Sequence, residues 1–156
     1  MHAPSWLLAP ALSAVLACTS CAAAQGGPSA APSVVLHGVR FSVELADTPA
    51  EQAHGLMGRT HMPGDHGMLF VFRDSEPRTF WMKDTLIPLD MLFFDATGRL
   101  VAIQADAQPC KADPCKLYPS GTPARYVLEL NAGAAAKLGV RKGDVITFSG
   151  VPSGTQ

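Results

Sequence analysis

The sequence predicts an α+β domain that is mostly antiparallel β, a small partly closed barrel-like sheet carrying two short helices. Three observations lead there. The apolar residues fall in many short runs rather than in long stretches of helical period. The chain's 14 glycines and 13 prolines punctuate those runs with turns. Only two segments carry helix start and stop signals. At 156 residues there is material for one domain, which is expected over residues 34–150.

Val34, Val35 and Leu36 are followed by His37-Gly38 and then by Val39, Phe41, Val43 and Leu45, which alternate with Arg40, Ser42 and Glu44. The alternation is that of a half-buried strand, and the Gly-containing joint predicts a hairpin. Thr48-Pro49-Ala50-Glu51 offers a capping hydroxyl, Pro at the first helical position and Glu three residues after the cap. A short helix is expected from there to Met57, stopped by Gly58. Residues 68–72, 79–82 and 89–94 are apolar segments that predict three strands. Asp95-Ala96-Thr97-Gly98 predicts a turn returning into residues 100–103, and residues 104–123 read as a long loop. Residues 126–130 predict a strand, 132–138 a helix stopped by Gly139, and 144–148 a closing strand.

The N-terminal region is built differently. Residues 1–39 contain no Asp, Glu, Lys or Arg. Residues 6–17 are mostly Leu, Ala and Val, interrupted by Pro10, and too short to span a bilayer as a helix, so they read as the apolar core of a secretory signal. They end in Val15-Leu16-Ala17-Cys18, which resembles the bacterial lipobox. That resemblance implies a signal peptide over residues 1–17 and a diacylglycerol on Cys18, with an ordinary cleaved signal as the alternative. Cys21 is a poorer acceptor, because Cys18 occupies the place of its aliphatic residue. Residues 18–33, rich in Ala, Gly, Ser and Pro, are expected to form a flexible tether, and residues 151–156 a disordered tail. The expected location is the outer side of a bacterial membrane, periplasm-facing or at the cell surface, with the membrane itself as a partner through the lipid.

The stretches ADTPAEQAHGLMGR, GMLFVF, FWMKDTLIPLDMLFFD, ARYVLELNAG and GVRKGDVI together cover nearly all of the folded part. In them the chain from Asp47 to Phe148 resembles the family known as domain of unknown function 192. The resemblance implies a small β-rich fold, often exported, with no agreed activity. Asp84 departs from the family pattern, which more often has Asn there.

Phe80, Trp81 and Met82 are consecutive, so a strand sends neighbours to opposite faces and all three are buried only if both faces are covered. Either Trp81 or the Phe80/Met82 pair is then expected to line a groove beside Lys83, Asp84, Thr85 and Asp90. An apolar wall with a few polar groups is the composition of a ligand or partner site. The competing reading has Trp81 in the core and Lys83-Asp84-Thr85 as a turn. Cys110 and Cys115 are expected to form a disulfide bracing the long loop in an oxidising compartment.

Other chemistries receive little support. His61, Met62 and His66 offer soft ligands suited to copper, although Met is common core filler and a solvated His needs no special role. Asp84 and Asp90 are candidate paired carboxylates for an envelope hydrolase, six residues apart across a proline. There is no G-x-S-x-G elbow, H-E-x-x-H or phosphate-cradling glycine loop, and no cofactor is expected. A net charge of −1 argues against non-specific nucleic-acid binding, which needs a basic face. The sequence reading is therefore a non-enzymatic binding or accessory module of the cell envelope, contacting an envelope protein or a small ligand.

Overall fold

The computed structural model describes residues 31–152. The leader, Cys18, Cys21, most of the tether and residues 153–156 lie outside the described residues. The elements in chain order are β1 (Ser33–Leu36), β2 (Val39–Ala46), α1 (Pro49–His54), β3 (His66–Trp81), β4 (Leu89–Phe94), β5 (Leu100–Ala107), β6 (Leu117–Asn131), α2 (Ala134–Leu138) and β7 (Thr147–Ser149). The seven strands form one sheet in the order β5-β4-β6-β3-β2-β1-β7. All pairs are antiparallel except β2 with β3, which are parallel and joined by the crossover that contains α1. The sheet curls into a half-barrel. At one end a bridge between Arg99 and Val145 draws the segment before β5 toward the segment before β7, with Leu100 N–H donating to the Asp144 carbonyl at 2.7 Å.

The predicted hairpin is present, with Leu36 opposite Val39 and both His37 and Gly38 at positive φ. Its tip is anchored, because the His37 ring contacts the Leu138 carbonyl at 3.1 Å and an Asp144 carboxylate oxygen at 2.6 Å. Thr48 and Glu51 form the predicted capping box at the start of α1. Several expected boundaries shift. The first helix ends at His54 rather than near Met57, because Gly55 takes a positive φ of 49° and lies against Phe70, where a Cβ would come within 3.2 Å of the ring. The loop expected over residues 104–123 shrinks to residues 108–116, since β5 continues to Ala107 and β6 begins at Leu117. Pro119 and Pro123 disguised that strand. They are tolerated because this part of β6 pairs only with β3, leaving its other edge free.

The segments expected at 68–72 and 79–82 are one strand. Their polar link, residues 73–78, continues β3 as an exposed arm paired with β6 through two register shifts. The closing strand is shorter than expected, with β7 confined to Thr147–Ser149.

Alternation along the strands divides the apolar residues between two cores. Leu69, Val71, Leu92, Phe94, Leu128 and Leu130 pack with residues of β1, β2 and α2 on one face of the sheet. Met68, Phe70, Met91, Phe93 and Val127 pack on the other face with Leu56, Met62, Met82 and Tyr118. Double coverage explains why all six residues of β4 are buried. This second face carries the candidate site.

Candidate functional site

Within β3, Phe70, Phe72 and Phe80 project to the second core, where the Phe80 ring meets Phe70 and Phe93 edge-on at 4.9 and 5.7 Å. The next residue turns the other way, and Trp81 is 48% exposed. Met82 returns to the core at 1% exposure. Of the two groove-lining alternatives, Trp81 is the one left open to solvent.

The chain then makes a sharp turn. Asp84 has φ of 54°, in the left-handed region where Asn, Asp and Gly are the tolerated residues. This geometry suits Asp84 as it would Asn or Gly. The Asp84 carbonyl accepts the Gly58 N–H at 2.8 Å, tying the turn to the loop after α1. Thr85 is buried, and its N–H donates to the Met82 carbonyl at 3.2 Å. The ammonium of Lys83 lies 5.6 Å from the centre of the Trp81 ring and 3.3 Å from the Asp113 carboxylate. Cys110 and Cys115 are joined in a disulfide, as expected. Their loop docks on the turn through a Lys83–Cys110 bridge and the Cys110 N–H on the Met82 carbonyl, 3.1 Å.

Asp90 does not join this cluster. It is fully buried on the face of Leu92 and Phe94, where Oδ1 accepts the Asp106 N–H at 2.9 Å and Oδ2 accepts the Ala135 N–H at 2.8 Å. With both oxygens held by backbone amides, it braces α2 and the end of β5 and is not presented to a substrate beside Asp84. The copper alternative also disperses. Met62 is core, His61 is exposed, and His66 contacts the Asp65 carboxylate at 2.7 Å. Among the described residues no group of three or more His, Cys, Asp or Glu is placed to hold a metal ion.

The turn is hollow on both sides. Under the disulfide loop lies a groove of about 280 Å³ bounded by Met82, Pro109, Lys116 and Tyr118. Between the end of α1 and the sheet lies a smaller cavity of about 30 Å³, lined by Phe70, Phe80, Trp81, Lys83, Thr85 and Glu129 and by residues 52–57.

Glu129 is the residue the sequence reading missed. In β6 it stands opposite Met68 of β3 and Met91 of β4, and it is 4% exposed. No hydrogen bond or ion pair to its carboxyl occurs among the described residues. Burial pushes this carboxyl up to about 8. In the sequence it is a lone acid in the otherwise apolar run of residues 126–130, and an acid ordinarily faces water. The available signal was Val127, two residues earlier on the same face and opposite apolar segments.

The geometry defines a small half-barrel β domain with an aromatic-walled cleft and a desolvated acid at its base. The chain belongs to the DUF192 family, described as "Uncharacterized ACR, COG1430", which matches residues 33–148. It is similar to the crystal structure of a putative transcription regulator from Sinorhizobium meliloti 1021, with 40% identity over 77% of this chain and 93% of that one and a TM-score of 0.68. It is also similar to a protein of unknown function from Novosphingobium aromaticivorans DSM 12444, with 40% identity over 74% of this chain and 82% of that one and a TM-score of 0.67. No curated protein matches the chain.

Proposed function

We propose that this protein is a non-enzymatic binding module of the cell envelope, held at a membrane by a lipid on Cys18, that takes a small ligand at the Trp81–Thr85 turn. One observation carries the binding reading: the unpartnered, buried carboxyl of Glu129 in a cavity that also touches exposed Trp81. An isolated buried acid costs stability, and such groups concentrate at sites with a task. The lipobox-like Val15-Leu16-Ala17-Cys18 supports the location. A binding role is favoured over hydrolysis because the second carboxylate named for acid–base work, Asp90, is consumed as a brace on the opposite face.

Both halves are testable. Intact mass of the native envelope-derived protein is expected to show a chain beginning at Cys18 with an added diacylglycerol; a chain retaining residues 1–17 without acyl groups refutes the anchoring. For the site, amide NMR of the intact chain titrated with pentylamine, pentanol and pentanoic acid is expected to show shifts grouped at residues 52–57, 80–85 and 129 with at least one probe. Perturbations scattered elsewhere, or none with any probe, remove the ligand site.

A further inference from the structure

The cavity at Glu129 is small and combines aromatic rings with charged side chains. Its volume of about 30 Å³ is no more than one or two water molecules' worth. It therefore admits the tip of a ligand and leaves the body outside. The tip meets Phe70 and Phe80, the hydroxyl-bearing Thr85, and the end of α1. Gln52, Ala53 and His54 of its last turn line the cavity. From the sheet side come only Glu129, flanked by Met68 and Met91, and the aromatic rings. The charged or titratable groups facing Glu129 across the cavity are Lys83 and His54. Lys83 is drawn toward Asp113, 3.3 Å away, and leaves the Glu129 carboxyl unpaired.

We infer that this cavity takes the primary ammonium end of an aliphatic amine, with Glu129 as its counter-ion and the aliphatic stem leaving past Trp81. Aromatic rings and one carboxyl are a cation's environment. An anion there would face the Glu129 carboxyl with Lys83 turned to another partner. The assignment deepens the ligand-site reading and depends on it. Seating the ammonium requires Glu129 to ionise, so the carboxyl proton leaves to solvent as the ion pair forms.

The test is calorimetric titration of the intact chain with pentylamine, pentanol and pentanoic acid at pH 6, 7 and 8. Pentylamine, an alkylammonium throughout this range, is expected to bind about 50-fold more tightly at pH 8 than at pH 6, releasing one proton at pH 6. In E129Q that dependence is expected to vanish and affinity at pH 8 to fall about 10-fold or more. In H54Q the pH dependence should persist, which separates Glu129 from the neighbouring imidazole. Pentanol or pentanoic acid binding as well as pentylamine at residues 80–85 and 129 overturns the ammonium assignment while leaving a ligand site. Pentylamine binding with no pH dependence, or unchanged by E129Q, overturns it as well. Failure of all three probes removes the site itself.

Discussion

Asp90 joins two parts of the fold that are distant in sequence: its Oδ2 accepts the N–H of Ala135, at 2.8 Å, in the first turn of α2. That helix has no side-chain cap of its own, since Gly133 stands at its N-cap. The carboxylate supplies the missing acceptor from β4, while its other oxygen holds Asp106, a non-glycine residue at φ of 52°. Removing it leaves two amides without partners. Asp90→Ala is therefore expected to cost roughly 3–5 kcal/mol in urea unfolding. A loss below about 1 kcal/mol would contradict the bracing role.

Glu129 makes stability depend on pH. Its folded-state pKa of about 8 lies above its ordinary 4.5, so the native protein holds a proton that the unfolded chain has lost between those values. The contribution is fully present below pH 4.5 and is lost as pH rises through about 8. The difference is on the order of 4–5 kcal/mol. Glu129→Gln is expected to unfold at higher temperature than the parent at pH 8.5 and to lie close to it at pH 4.5. Equal melting temperatures across the range would show that the carboxyl is not desolvated.

Asp84 is a matter of backbone shape. At φ of 54°, Asp84→Asn and Asp84→Gly are expected to lie within about 0.5 kcal/mol of the parent, whereas Asp84→Val should cost about 1–2 kcal/mol. Chemical denaturation orders the three. A Val variant as stable as the Gly variant would place the strain elsewhere.

The disulfide closes a short ring. Replacing Cys110 and Cys115 with Ser is expected to cost about 2 kcal/mol by loop-closure entropy and to leave the rest of the sheet intact. Circular dichroism and urea titration check both halves. Collapse of the fold would mean that the 108–116 loop organises more of the domain than its docking on Met82 and Lys83 suggests.

Features with short-range signals are legible in the amino-acid sequence itself. The capping box at Thr48 and Glu51, the His37-Gly38 hairpin, the Gly139 stop and the Cys110–Cys115 pair each follow from chemistry within a few residues. The partly closed, mostly antiparallel sheet follows from the count and spacing of apolar runs, and it is what the chain forms. The Phe80-Trp81-Met82 run also carries its own conflict, since three large apolar neighbours in a strand need cover on both sides. Nothing in the run itself selects which of them stays in water.

That choice, and the site with it, belongs to the tertiary structure. Strand period fixes which residues share a face but not what lies over that face. β6 pairs with β3 on one side and β4 on the other, and Leu56, Met62 and Met82 pack over the face that carries Glu129. Glu129 is thereby buried beside Met68 and Met91, although its local sequence marks it as a solvent-facing acid. The same long-range packing sends Asp90 to the opposite side from Asp84, only six residues away. Local patterns determined the strands, turns and caps; desolvation, which depends on residues brought together from across the chain, decided where the unusual carboxyl sits.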